Sequence, residues 1–417
     1  MEIGRCGGRE VWSWGAGTHG QLACGTLVDA LSPQRVEALC HAAPIVDMAC
    51  GGAHVVVVFD SGGVATWGRG KAGVLGHGDE TTTTVPRLVS SLHGIRITRA
   101  AAGWNHSAFL TDKGELYTCG DGAFGQLGHG NTESCLLPCR VEHLSSVCIN
   151  MVACGMRHTL AMSITEGSPD ASIVYAFGFN KRGQLGIPTN STSNGGNNKW
   201  RVLFPQKVDS LDMHGVTSVY ANGDHSAALT GRGKLFLWGR GYNDSPDSPE
   251  PRLADMGLKL CQVSLGWRHG LALTENKEVF AWGNNGCGQL GVSQASPTSG
   301  TRTQESAANQ HMKEQDEEQA DETRQAQEQV LGVDFQKVET QGVGAVWISA
   351  GSEHSAAVLE NGKVIVWGWA EHGQLGLGSL EDQDVPHIVS LATNKVASIC
   401  EVNTRVYCGS GYTFVLL

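Results

Sequence analysis

The sequence predicts an all-β fold: a seven-bladed β-propeller closed by N- and C-terminal strands that share one blade. Three observations carry this reading. A unit of strand, tight turn, strand and glycine-rich loop recurs along the 417 residues. Glycine is the outlying residue, 56 against 12 prolines, and without collagen periodicity that density marks many turns between short strands. The two ends carry complementary halves of one unit. A long recurring period is the signature of a repeat architecture, in which each unit buries its faces against its neighbours.

The unit is clearest in GWNHSAFLTDKGELYTCGDGAFGQLGHG, Gly103 to Gly130. It reads as a strand over His106–Leu110, a turn on Lys113-Gly114, a strand over Glu115–Cys119 and a glycine-rich loop. Aligned on the second strand, units end at Trp14-Gly15, Trp67-Gly68, Cys119-Gly120, Phe177-Gly178, Trp238-Gly239, Trp282-Gly283 and Trp367-Gly368, spaced by 53, 52, 58, 61, 44 and 85 residues. Six turns carry a histidine: His54, His106, His158, His225, His269 and His354. Six loops carry a Gln-Leu or Val-Leu pair, beginning at Gln21, Val74, Gln126, Gln184, Gln289 and Gln374. Further strand-like pieces follow, such as Cys139–Leu144 and Val147–Cys154, giving four short strands per unit. The chain opens on the latter half of a unit, Val11–Gly15. It ends on the former half, with Tyr412 where the others have histidine. Sharing a blade between the ends removes exposed strand edges.

Three units depart from the pattern. The one after Gly239 is short and lacks the Gln-Leu loop, so a trimmed outer edge is expected there. The one after Gly178 carries a polar loop with Trp200, expected to be exposed. The one after Gly283 holds an acidic, Gln-rich insertion over 292–336 within a single propeller domain spanning 1–417. Its stretch from Thr303 to Gln329 has eight acidic against two basic residues, more than half of the net charge of −11. With almost no apolar stripe, the insertion is expected to be a flexible, solvated excursion.

No basic tail or stripe is present, so direct binding to nucleic acid or to an anionic membrane is not expected. The 13 cysteines are scattered without a C-x-x-C pair. Cys50 and Cys154 occupy a small-residue slot that Ala102 and Ala350 fill in other units, so the thiols read as reduced core residues. With no apolar signal region and no run of membrane-spanning length, the chain is expected to be soluble and located in the cytoplasm, the nucleus or both.

The G-x-G-x-x-G matches at Gly15, Gly68 and Gly120 recur with the repeat and open no helix, so they are turn glycines, not a dinucleotide fingerprint. The six histidines belong to different blades and do not converge as metal ligands must. Each is expected to bond backbone within its own blade. No nucleophile elbow, phosphate loop or carboxylate pair occurs. The reading contains no catalytic residue, no metal site and no cofactor.

What varies in the turn before each histidine is the two residues after its first position: Gly52-Ala53, Trp104-Asn105, Met156-Arg157, Gly223-Asp224, Trp267-Arg268, Ser352-Glu353 and, at the seventh position, Ser410-Gly411. These pairs should ring one face of the disc. Trp104, Asn105, Met156, Arg157, Asp224, Trp267, Arg268 and Glu353 are the candidate partner-binding residues, since aromatic and arginine side chains dominate interface anchors.

The recurring G-x-x-H-[ST]…W-G…G-Q-L-G pattern resembles the repeats of the regulator of chromosome condensation family over nearly the whole chain outside the insertion. The resemblance implies a seven-bladed propeller. Its founding member is a chromatin-bound guanine-nucleotide exchange factor for the small GTPase Ran. Plant ultraviolet-B photoreceptors of the family place tryptophans in G-W-R-H-T turns of adjacent blades. The resemblance therefore implies a protein partner, with a small GTPase as one candidate. Gly266-Trp267-Arg268-His269 matches the photoreceptor turn and Gly103-Trp104-Asn105-His106 matches in part. They lie three blades apart, roughly 150° around a seven-bladed ring, so their indoles are expected to be too distant to couple. The leading expectation is a non-enzymatic interaction scaffold, with nucleotide exchange on a Ran-type GTPase as the alternative and light sensing third.

Overall fold

The computed structural model describes residues 10–40, 42–164, 172–188, 199–243, 245–293, 330–391 and 404–417. These residues form seven four-stranded antiparallel sheets arranged as the blades of a propeller. Blade 1 runs from the channel outward through Ile45–Cys50, His54–Phe59, Val64–Gly68 and Thr83–Leu88. Blades 2 to 6 repeat the order, starting from inner strands Ile97–Ala102, Ile149–Cys154, Val216–Asn222, Leu260–Leu265 and Ala345–Ala350. Blade 7 closes the ring: inner strands Arg405–Cys408 and Tyr412–Leu416 come from the C-terminus, and Val11–Gly15 and Ala30–Arg35 come from the N-terminus. In the blade read most closely from sequence, the outer strand is Cys135–Arg140 and the next inner strand is Ile149–Cys154, a few residues from the expected Cys139–Leu144 and Val147–Cys154.

Burial explains the sequence of each strand. The second strand of a blade is covered on both faces by neighbouring blades, so it is apolar without alternation. HVVVVF in blade 1 is buried at every residue. The outermost strand, TTVPRL, is largely exposed and tolerates proline because it donates to no further strand.

The histidines bond across blades, not within their own, which corrects the expectation from sequence. Nε2 of His54, His106, His158, His269 and His354 lies 2.9–3.0 Å from the hydroxyl of Ser107, Thr159, Ser226, Ser355 and Thr413 on the following blade. That hydroxyl donates at 2.7–2.9 Å to the carbonyl of Val74, Gln126, Gln184, Gln289 or Gln374, in the Gln-Leu loop of the histidine's own blade. A hydroxyl has one proton to give, so the imidazole supplies the other and is held as the neutral Nε2–H form. Two junctions lack the hydroxyl. His225 faces Gly270 and meets the Gly266 carbonyl at 2.9 Å instead, while Tyr412 faces Val55 and donates to the carbonyls of Gly51 and His54. The glycine three residues before His54, His106, His158, His269 and His354 has a steric cause: a Cβ at Gly103 would stand 2.3 Å from His106 Cε1, because the imidazole lies flat on the turn; before His225 the position is Asn222.

Two irregular units also differ from expectation. The unit after Gly239 keeps a complete outer strand, Ser248–Ala254, so only its loop is short and the edge is not trimmed. Ordered structure reaches into the insertion from both sides. Val292 packs on the core between blades 5 and 6. Leu331, Val333 and Phe335 pack on the core between blades 4 and 5, and Gln336 opens the outer strand Gln336–Val338 of blade 5. Phe335 meets Trp282 edge-on at 5.3 Å. The acidic stretch Thr303–Gln329 lies outside the described residues. Trp200, expected to be exposed, is half-buried under the Lys199 ammonium.

Candidate protein-interaction face

The variable turns do ring one end of the channel, and their backbone forms a closed device. The amide after each pair's first strand-closing glycine docks on the pair's second residue: Arg69, Asp121, Phe179, Arg240, Asn284, Trp369 and Ala16 donate to the carbonyls of Ala53, Asn105, Arg157, Asp224, Arg268, Glu353 and Gly411 at 2.8–2.9 Å. The first residue of most pairs donates onward to the next turn, as Trp104 does to Gly155 and Trp267 to Ser352. Backbone bonds therefore hold most of the ring, with the Asn222 side chain bridging the Gly223 amide and the Leu265 carbonyl between blades 4 and 5, and the side chains of the pairs are free to differ.

Within each pair the two side chains part. First residues Gly52, Trp104, Met156, Ser352 and Ser410 line the channel mouth, above a cavity of about 170 Å³. Second residues lie over the loops. Arg157 sits over Phe124 and Phe179, 4.7 and 5.9 Å from their centroids. Asp224 accepts from Gln184 Nε2 at 3.1 Å, Glu353 lies 4.0 Å from the Cys287 thiol, and Asn105 is half-buried. Burial, reinforced by the acidic neighbours Glu353 and Asp382, holds the Cys287 thiol up at about 11, so it stays protonated beside Glu353.

Trp104 and Trp267 are not far apart. Their ring centroids stand 6.1 Å from each other at 33°, across the channel mouth. Angular separation around a ring is a poor guide when the ring is narrow and both side chains are long. The neighbouring turns make room, since a Cβ on Gly52 would be 3.1 Å from Trp104 Cδ2 and one on Gly223 would be 2.8 Å from Trp267 Cδ1. The indoles thus lean over two glycines and meet. Trp104 remains 38% exposed, which makes the pair an apolar patch at the centre of the face.

Beside this patch the structure brings together residues that sequence reasoning passed over: Arg182, Arg240 and Asn243, with Arg268 and Asn284, around a cavity of about 370 Å³. The signal was the missing Gln-Leu loop after Gly239, which opens this space. His225 at its base is held near 4 by burial, opposed by its bond to Gly266 and reinforced by the Arg240 charge, so it is neutral. Among the described residues no cluster of His, Cys, Asp and Glu could hold a metal ion.

Seven four-stranded blades and a closing blade shared by both termini define a β-propeller with a rim of variable turns at one end of the channel. The chain belongs to the RCC1-like domain family, whose profile matches residues 10–415. It is 37% identical over 297 residues to the ultraviolet-B receptor UVR8 of Arabidopsis thaliana, covering 69% of this chain and 64% of that protein. It is 31% identical over 427 residues to the secretion-regulating guanine nucleotide exchange factor of Mus musculus, covering 97% of this chain and 83% of that protein. Among solved structures, Prp20p of Saccharomyces cerevisiae superposes with a TM-score of 0.76 at 21% identity, covering 98% of this chain and 91% of that one.

Proposed function

We propose that this propeller is a protein-interaction scaffold whose partner docks on the ring of variable turns. The observation that carries the reading is the Trp104–Trp267 pair, an apolar centre on a backbone that needs neither side chain. Rigid aromatic anchors surrounded by a polar rim are the usual composition of a binding hot spot. The chemistry suits docking better than catalysis: burial keeps the thiols of Cys50, Cys154 and Cys408 at the channel wall protonated, and the neutral imidazoles are already bonded at the blade junctions. The partner works in the cytoplasm, the nucleus or both, a placement supported by the described cysteines all being free thiols. Affinity capture with the intact chain and with a Trp267→Ala/Arg268→Ala variant tests the face. Loss of one retained protein at unchanged melting temperature supports it, and equal capture by both overturns it.

A second reading, nucleotide exchange on a small GTPase of the Ran type, is favoured by similarity to a guanine nucleotide exchange factor along 97% of this chain. Exchange would be performed by contact with the GTPase, not by a reacting side chain here. Faster release of labelled GDP from such a GTPase establishes it, and no acceleration on any tested leaves the scaffold. Light sensing regains a geometric basis from the indole contact, and ultraviolet-B exposure that changes neither oligomeric state nor tryptophan emission removes it.

A further inference from the structure

The cavity of about 370 Å³ lies over the junction of blades 4 and 5, beside Trp267. Arginines from three consecutive blades reach it: Arg182 from the blade 3 loop, Arg240 from the short blade 4 loop and Arg268 from the blade 5 turn. Asp247 also lines it and is already paired with Arg182 at 3.0 Å. Among the described residues, Arg240 and Arg268 have no carboxylate within ion-pair distance, and the Arg268 guanidinium is 6.0 Å from the Trp267 ring.

One side of the wall is tied to the next blade. Asn243 sits in the left-handed region at φ 48, and its Nδ2 donates to the Gly283 carbonyl at 2.8 Å, tying the short loop to blade 5. On a chain of net charge −11, a cavity lined among the described residues by three guanidiniums and one paired carboxylate is a local reversal of sign. Guanidinium forks match the planar geometry of a carboxylate and bond it in two places. The cavity of about 370 Å³ is more than a lone inorganic anion fills and leaves room for a carboxylate side chain together with the backbone that carries it.

We propose that this cavity is a socket for an acidic side chain, Asp or Glu, carried by the protein partner that docks on the ring of turns. The socket rests on the reading of this face as protein-binding and adds its chemistry: an apolar anchor on the tryptophan pair, and a carboxylate beside it between Arg240 and Arg268. Such a site selects partners with a negative charge next to an apolar residue and speeds their encounter.

The test titrates the full chain with an amidated Trp-Gly-Glu-Glu peptide, its Trp-Gly-Gln-Gln analogue and inorganic phosphate, by calorimetry. The glutamate peptide should bind saturably, weaken as salt rises, and lose about tenfold in affinity with Arg240→Ala, the cost of removing one member of a close charge pair. Arg240→Lys should recover part of the loss, and equal melting temperatures show that the variants are folded. If Arg240→Ala does not fold, Arg268→Gln carries the comparison. Equal binding of the two peptides overturns the proposal, as does phosphate binding as tightly as the glutamate peptide, or an Arg240→Ala affinity equal to wild type. The titration needs no partner, so its failure leaves the face itself to be judged by the Trp267→Ala/Arg268→Ala capture.

Discussion

The junction between blades 3 and 4 and the junction between blades 4 and 5 are built from the same positions with opposite outcomes. In the first, His158, Ser226 and the Gln184 carbonyl form a buried chain, and Trp238 Nε1 donates to that same carbonyl at 3.0 Å. In the second, the loop that would offer the carbonyl is absent, the hydroxyl position is Gly270, and buried Trp282 Nε1 has no loop carbonyl to donate to among the described residues. These losses belong together. Without the carbonyl a hydroxyl would have nothing to receive its proton, and the Trp282 ring takes the room, since a Cβ at Gly270 would lie 2.2 Å from Trp282 Cζ2. The lesson is that the repeat residues stand or fall as one unit. Where the unit is dismantled, the blade keeps its strands and gains a polar cavity.

The largest effect that bears on this comparison is on acid stability. Burial holds His54, His158, His269 and His354 near 3, and His106 and His225 near 4. Each binds a proton in the unfolded chain near its ordinary value of about 6.5 but not in the folded one. Stability is therefore full above pH 6.5 and falls as pH drops from there through about 4 for two of them and about 3 for the other four, by up to about 1.4 kcal/mol per unit for each histidine. Denaturant melts at pH 7.5 and 5.5 should show a loss of several kcal/mol with proton uptake on unfolding. The Tyr412 junction adds nothing in that window. A flat profile between these pH values would show that the imidazoles are not buried as described.

How much of this was legible beforehand follows from what repetition reveals. The seven units, the shared closing blade and the ring of variable pairs are written in spacing, because glycine, histidine and the Gln-Leu pair recur wherever the same backbone is needed. The role of His106 was not legible within one unit, since its partner Thr159 lies 53 residues on. The histidine-to-hydroxyl link becomes visible only by reading one unit against the next, where Gly270 and the missing loop break step together. The Trp104–Trp267 contact was hidden for another reason. It depends on the channel's width and on the small neighbours Gly52 and Gly223, which sequence spacing does not encode.

A middle-sized effect tests whether the junction acts as one unit. Ser226→Ala removes the hydroxyl but leaves the His158 N–H and the Gln184 carbonyl buried, with Trp238 as the carbonyl's remaining donor. The stranded imidazole donor should cost about 1–3 kcal/mol. Adding the hydroxyl at the other junction, Gly270→Ser, should also destabilise, because the Trp282 ring occupies its space and no loop carbonyl awaits it. Stabilisation by Gly270→Ser would break the comparison, since it would mean that the irregular junction merely lacks a part.

The smallest effect on stability, and the most informative about use, belongs to the tryptophan pair. Aromatic pairs contribute about 0.5–1.5 kcal/mol beyond their buried area, and Trp104 is already 38% exposed. Replacing Trp104 or Trp267 by Phe should therefore shift unfolding by no more than about 1 kcal/mol. Either change should abolish the circular-dichroism signature of two coupled indoles, and the double variant should lose no more signal than each single one. If Trp267→Phe instead destabilises the fold as much as Ser226→Ala, the indole belongs to the junction's packing. The division between a repeated scaffold and a variable face then fails at its central residue.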